Sequence, residues 1–559
     1  MNELSASVIS QRLREGDRAA AFIPELRGNL GQQPRGEREL REWHALIDLL
    51  SGAVAPRKVF LKIDELYDPV KGDWSQALRS PGIQKCQLVG SRQDLESAVG
   101  REKNVLGDGK PDWAIRLALS LARSSARKLE LWGFLTQGML VAFSQELRFN
   151  RTLQHLELGG DLSKVTGTAW LSHILDNNST LHTLVLHDWN SSFLEQLAAS
   201  LPINTTLRHL GLMECHWMEQ GRGWRTEVLF FNALGRNRGL RSFALRRYTR
   251  SMDCYRALAD ALATNPTLVD VDLNFVSTLE VEILVERGLL VSNNIVGLTL
   301  REYEPLQPST ELLGRVMREK PIRRLELCRL SNVAFLPTLT THSIVELKFH
   351  GAGVEPTWQA LADIVKQNTS LRNLHVIFDY VDNTTACLAT FAEALAVNQG
   401  LRNLLMMASF ASFKANACLV RAVAKHPFLE QFDVKGIHCT EELAEMVKTH
   451  PSLTTIGCYI DSIADAQALI AAAKANRCLV KVTDHWGPLW HLPDRDLRKA
   501  TVHVLHSYLE MNRHGRHKLL IEHPFLLADL MGSLIDFRTR INLVMENPEP
   551  LIQAIHNRH

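Results

Sequence analysis

Histidines supply most of the side chains in this chain that could do chemistry at neutral pH. His503 and His506 stand three apart in "RDLRKATVHVLHSYLEM", and His514, His517 and His523 follow closely. Imidazoles one helical turn apart can share a zinc ion. Their usual companions are missing, since there is no His-Glu-x-x-His and no cysteine at ligand spacing. The run therefore reads as a solvated basic helix face rather than a metal site. Cysteines are the second source of chemistry. Cys86, Cys215, Cys254, Cys328, Cys387, Cys418, Cys439, Cys458 and Cys478 are scattered, and none forms Cys-x-x-Cys. That excludes the spacing of a zinc knuckle or a redox dithiol. Cys215 precedes His216, but adjacency in sequence does not place a thiol and an imidazole as nucleophile and base. There is no Gly-x-x-x-x-Gly-Lys-Ser/Thr loop to cradle a nucleotide phosphate. The glycine pair in "EQGRGW", Glu219 to Trp224, reads as an inserted loop. No catalytic residue, no metal ligand and no cofactor is assigned from these residues.

Composition narrows the classes further. The chain has 559 residues, 45% of them hydrophobic, with 63 basic against 61 acidic side chains. A dedicated nucleic-acid binder usually carries a strong basic excess, so no nucleic-acid partner is expected. No apolar run reaches the roughly 18 residues that span a bilayer, so no membrane partner is expected either. The start, "MNELSASVISQRLREGDR", lacks the basic, then apolar, then small-residue layout of a secretory signal. An odd count of cysteines fits reduced thiols. A cytoplasmic protein is the expectation, with export by a route that needs no such signal left open.

What recurs is a phrase. "NRTLQHLEL" at Asn150, "NSTLHTLVL" at Asn178, "NTTLRHLGL" at Asn204 and "NPTLVDVDL" at Asn265 share L-x-x-L-x-L. The phrase opens at Ala126, Leu153, Leu181, Leu207, Leu240, Leu268, Ile295, Ile322, Ile344, Leu371, Leu401, Leu429 and Leu453, mostly in steps of 26 to 28 residues. Weaker copies open at Lys58, Ile83 and Leu479. A fixed period of this size marks a solenoid. The fourth and sixth positions alternate with polar residues, which is strand periodicity. The downstream half of each unit is helical, as in "YRALADALATN", where Leu258, Ala261 and Leu262 share a face. One unit cannot bury that face alone, and stacked units share a core.

Asparagine stands three residues before the phrase at Asn150, Asn178, Asn204, Asn237, Asn265, Asn368, Asn398 and Asn476, and His-Pro replaces it at His426 and His450. Asparagine tolerates the left-handed conformation that ends a helix, and its side chain can bond the turn. Several of these corners also spell Asn-x-Ser/Thr, but the register demands those residues without any glycan.

On these residues the chain resembles the leucine-rich repeat superfamily, in its ribonuclease-inhibitor-like class, from about Pro56 to Asp484. The resemblance implies an α/β solenoid with a curved parallel sheet inside and helices outside. The family places Asn or Cys at the ninth position of the phrase. Here Asp161, Trp189, Tyr248, Val276 and Tyr303 stand there and only Cys215 matches, so a regular ladder at that position is not expected. Overlong steps predict insertions, one of them containing Gly100 to Asp112. Residues 1–55 read as a helical cap or leader and residues 485–559 as a helical domain, with Leu497, Val504, Leu505 and Leu509 on one helix face.

The architecture also resembles leucine-rich-repeat effectors that bacteria inject into host cells. Some such proteins carry a ubiquitin-ligase domain with a catalytic Cys-x-Asp. The nearest approaches here, Cys215-His216-Trp217 and Cys439-Thr440-Glu441, lie within repeats. Two functions remain. The first is a monomeric scaffold that binds a protein partner on its concave face. The second is a ubiquitin-ligase-type enzyme or adapter, with the repeats as substrate reader and the activity in residues 485–559.

Within each strand the third, fifth and seventh positions point away from the core. The seventh positions run through Arg246, Arg301 and His350, then turn apolar at Ile377, Met407 and, two strands further on, Tyr459, with Leu405 at a fifth position. Exposed apolar groups of this kind ask for a cover. The expected partner-binding residues are therefore Arg246, Arg301, His350, Ile377, Leu405, Met407 and Tyr459.

Overall fold

The computed structural model describes residues 58–62, 67–68, 72–73, 84–89 and 113–484, with residues 505, 508–509 and 512–513. Within 113–484 it omits 134, 161, 163–164, 166–168, 214–222, 247–250, 276–277, 303–309, 330–333, 342–343, 382–383, 408–412 and 461. The cap expected over residues 1–55, the loop from Gly100 to Asp112 and nearly all of 485–559 lie outside the described residues. The fold divides into two compact units, Met1–Ile295 and Val296–His559.

In the first unit the parallel strands Lys58–Lys62, Lys85–Val89, Lys128–Trp132, His155–Gly159, Thr183–His187, His209–Met213, Ser242–Leu245 and Asp270–Phe275 pair in chain order. In the second the order is Gly297–Glu302, Arg324–Cys328, Glu346–Gly353, Asn373–Val381, Asn403–Met407, Gln431–His438, Thr455–Tyr459 and Lys481–Asp484, again parallel. Pairing sets phrase on phrase. Leu156 lies opposite Leu129 and Leu184, and Leu374 opposite Leu347 and Leu404. Val271, Leu298 and Leu325, the fourth positions of three phrases, are all buried. At the chain's start the register corrects the sequence reading. Val59 pairs with Cys86 and Leu61 with Leu88, so that phrase opens at Pro56 and not at Lys58. A slip of two residues keeps every side chain on its own face, so alternation alone could not detect it.

Helices return the chain between strands, for example Ser191–Ser200, Met252–Thr264, Glu355–Gln367 and Ile463–Ala475. Leu258, Ala261 and Leu262 are buried in Met252–Thr264, as their spacing predicts. Unit length decides the exceptions. The short step from Ile322 to Ile344 leaves room only for a 3-10 turn, Leu336–Thr341. After Thr278–Ile283 the helix widens to a π-turn at Leu284–Leu289. There Gly288 lets the backbone press on Ala259, where an added Cβ would stand 3.1 Å from the Ala259 Cα. The stretch read as an inserted loop ends in helix, because Gly223 and Trp224 open Gly223–Arg236.

The corners depend on asparagine for a different reason from the one its backbone preference suggests. Asn178, Asn265, Asn368 and Asn476 are extended, with φ of −92°, −72°, −83° and −84°. Left-handed residues stand at the other end of the strand instead, at Gly133, Gly160, Asp188 and Arg329. What the corner uses is the side-chain amide. In Asn265 the Oδ1 accepts from the backbone N–H of Thr267 at 2.9 Å and Leu268 at 3.0 Å. Its Nδ2 donates back to the Leu234 carbonyl at 2.6 Å and the Asn237 carbonyl at 3.1 Å, in the preceding repeat. Asn150, Asn178 and Asn237 repeat both halves of this arrangement. In the second unit Asn476 does the same, reaching Val447 and His450, and Asn512 adds a further rung on Ala473, Asn476 and Leu479. These amides are buried and occupied on both atoms, so the Asn-x-Ser/Thr spellings at Asn150, Asn178 and Asn204 are structural.

His450 imitates the amide. Its Nδ1 accepts from Ser452 and Leu453 N–H, at 3.3 and 3.1 Å, and its Nε2 donates to the His426 carbonyl at 2.9 Å. Only the neutral ring can do both, since protonated Nδ1 has no lone pair. Burial pushes His450 below its ordinary imidazole value, against the bond to His426, which raises it. Burial likewise lowers His426.

Leu298→Ala should cost about 2–5 kcal/mol by leaving a cavity between strands, read by denaturant unfolding. Asn265→Ala strands two donors and two acceptors, each worth about 1–3 kcal/mol when buried without a partner. Its loss of stability should exceed that of Asn265→His, which keeps the amide's pattern. Equal losses would mean that the ladder geometry is not what the corner needs. A lowered histidine contributes stability that is complete above the unfolded value of about 6.5. That stability is lost as pH falls through the folded value. His450→Asn should therefore flatten the fall in melting temperature on acidification below pH 6.5, and an unchanged pH profile would count against it.

Candidate functional site

With the fourth and sixth positions committed to the core, the third, fifth and seventh positions make an open sheet face. In the second unit four of the expected residues come together on three adjacent strands. Ile377 lies opposite His350 on one side and Met407 on the other, and His375 lies opposite Leu405. Met407 is 38% exposed, whereas its neighbour Met406 is fully buried. Ile377 and Leu405 are half-buried on the same face as Met407. The result is an apolar ridge across two adjacent strands, with polar groups beyond it.

Those polar groups are already engaged with one another. The Arg301 guanidinium donates to Glu326 at 2.8 Å and to the Cys328 sulfur at 3.0 Å. His350 Nε2 meets Asp379 at 2.8 Å. Lys348 reaches Glu346 at 3.2 Å. Burial, with Lys348 adding to it, pushes His375 below the ordinary imidazole value. Tyr459 stands apart from the ridge through an irregularity invisible in the phrase. The seventh-position rule sets Lys435 beside it, but the register slips between Asp433 and His438. His438 takes that place, its ring centroid 5.6 Å from the Tyr459 ring. Arg246, in the first unit, is paired with Asp272 on the next strand at 3.0 Å.

The first unit's open face also holds a cluster that the sequence reading did not pick out. Glu130 and Glu157 lie directly opposite on neighbouring strands. Lys85 and Lys128 both reach Glu130 Oε1 at 2.8 Å. Glu157 accepts from His155 Nε2 at 3.4 Å and from His187 Nε2 at 3.1 Å. Bonds from these two imidazoles hold its carboxyl well below the usual carboxylate range, against the opposing effect of burial. Burial raises Glu130, but the two lysines outweigh it and the net shift is downward. The legible signal was His-x-Glu at 155–157, which puts both side chains on one face of a strand. The other members come from strands on either side.

One phrase per strand, phrase aligned on phrase, and, from Lys128–Trp132 onward, a helix or helical turn between strands among the described residues decide the architecture. The fold is a leucine-rich repeat solenoid. The buried ladder of these repeats runs through the corner asparagines, and the family's ninth position does other work, as at Trp189, which is buried in the core. No family model and no curated protein matches the sequence. Among solved structures the chain is similar to one in the crystal structure of the Rad7 and Elc1 complex in yeast. Identity there is 14%, over 81% of this chain and 90% of that one, with a TM-score of 0.35. It is also similar to the leucine-rich repeat-containing protein LegL7 from Legionella pneumophila, at 16% identity over 65% of this chain and 93% of that one, with a TM-score of 0.27. Among the described residues no helix is long and apolar enough to cross a membrane.

Proposed function

We propose that this leucine-rich repeat chain is a scaffold that binds a protein ligand on the open, concave face of its repeats. In the Val296–His559 unit the anchors are Ile377, Leu405, Met407 and Tyr459, with Arg301 and His350 on the polar flank. The observation that carries this reading is Met407. It is an exposed methionine beside the half-buried Ile377 and Leu405 on the same face. Adjacent apolar side chains in register give a partner a site to desolvate, and a few such anchors usually carry most of the affinity. Arg301 and His350 are internally paired, so they supply direction to hydrogen bonds more than unscreened charge. Arg246 is a separate contact in the other unit.

The same reading takes the chain as a cytoplasmic monomer with no nucleic-acid or membrane partner, and Pro56 to Asp484 as repeats of the ribonuclease-inhibitor-like class. Delivery into a host cell as an effector rests on sequence architecture and is tested by a translocation reporter fused to residues 1–55. The ubiquitin-ligase alternative loses one of its near-matches. Cys439 is buried, and its thiol donates to the Asp465 carbonyl.

Met407→Asp should leave the melting temperature nearly unchanged, since ordinary surface substitutions stay within about 0.5 kcal/mol. It should weaken ligand capture by tenfold or more, because hot-spot truncations cost about 2 kcal/mol or more. A photo-crosslinking residue at position 407 should yield protein adducts that the same residue at the exposed helix position Gln359 does not. Folded Met407→Asp and Tyr459→Ala proteins that keep every partner of the parent would remove this face from consideration.

A further inference from the structure

We propose that Glu130, His155 and Glu157, with His187 as a fourth donor, form a binding site for one divalent transition cation of the zinc class on the open face of the Met1–Ile295 unit. One ligand atom from each of the first three lies within 4.8 Å of the others. His187 joins them through its 3.1 Å bond to Glu157.

Two carboxylates directly opposite on neighbouring strands repel and destabilise the pair unless something compensates. Here Glu130 and Glu157 are compensated from opposite sides, by two ammoniums and by two imidazoles. Both lysines sit on Glu130 Oε1, and Glu130 offers one carboxylate oxygen to the cluster. Both histidines turn Nε2 toward the same carboxylate, and Nε2 is an atom through which imidazole binds metal. The His155 contact, at 3.4 Å, is a long hydrogen bond. A cation between these groups replaces two N–H···O bonds with N–metal bonds, and the displaced Nε2 protons move to Nδ1 or leave to solvent. Two imidazoles with two carboxylates suit zinc, cobalt or nickel, whereas calcium and magnesium prefer all-oxygen cages.

A second observation shows that the surroundings are shaped for these side chains. The Trp132 indole lies over Gly159, where any Cβ would run into the ring. The His187 imidazole packs against the same indole at a tilt of 50°, its centroid 4.4 Å from Trp132. Gly159 therefore seats Trp132, and Trp132 orients His187. Positioning of a ligand ring by its outer neighbours is a regular feature of metal sites.

The test uses the full purified chain, stripped with chelator, and cobalt(II) alone as the probe, followed by competition with zinc(II). The expected result is one equivalent of cobalt with visible ligand-field absorption, no thiolate-to-cobalt charge-transfer band, and displacement by zinc. His155→Ala and Glu157→Gln should each weaken binding by at least the roughly 10–100-fold that loss of an outer-sphere partner causes. His503→Ala with His506→Ala should leave it unchanged. If Glu157→Gln unfolds, judged by circular dichroism, His187→Ala carries the same expectation. No binding, thiolate bands, binding unaltered in His155→Ala and His187→Ala, or loss on changing His503 and His506 would each overturn the proposal.

Discussion

At most corners of the stack a buried asparagine amide joins two consecutive repeats. Its oxygen holds the two N–H groups that open the next strand, and its nitrogen reaches back to carbonyls that end the preceding helix. Asn265 makes all four bonds at once. Carbonyls at a helix end have no partner within the helix, and inside a stack they have no water either. The amide is one of the few side chains with a donor and an acceptor at one tip. The strand entry of one repeat and the helix exit of its neighbour are therefore satisfied by a single residue, and strand register follows from it.

That constraint explains which departures the fold accepts. Neutral histidine also carries a donor and an acceptor, so His450 can take a rung where most corners have asparagine. The return segment between corners is far less restricted. It can be a helix of 13 residues, as at Glu355–Gln367, or the 3-10 turn Leu336–Thr341, because the next corner restores the register. Asn512 extends the pattern past the last full phrase, and Leu505, Tyr508 and Leu509 are buried too.

Register in turn writes the chemistry of the open face. Because like positions line up, a residue two places along one strand and its counterparts on neighbouring strands become a single row. Within one such arrangement Glu130 meets Glu157, and within another Ile377 meets Met407. Single irregularities then edit the rows. Gly159 leaves the space that Trp132 fills, and the slip between Asp433 and His438 gives Tyr459 a histidine neighbour in place of Lys435.

The phrase L-x-x-L-x-L, its spacing and its corner asparagines were enough to determine the repeat, the alternation of strand and helix, and the buried positions from Leu129 to Ile456. They do so because burial of every second strand residue is a local demand that each repeat states again. The face carrying Ile377, Leu405 and Met407 was legible for the same reason. Three things belonged to the tertiary structure. The role of the corner amide was one, since its donors find carbonyls some 30 residues away, as Asn178 finds Leu147. The opening of the first phrase was another, since a slip of two leaves the alternation intact and only pairing of Val59 with Cys86 decides it. The meeting of His155, Glu157, Glu130 and His187 was the third. Their strands are separated by whole helices in sequence, and only hydrogen bonding between parallel strands brings such residues within reach of one another.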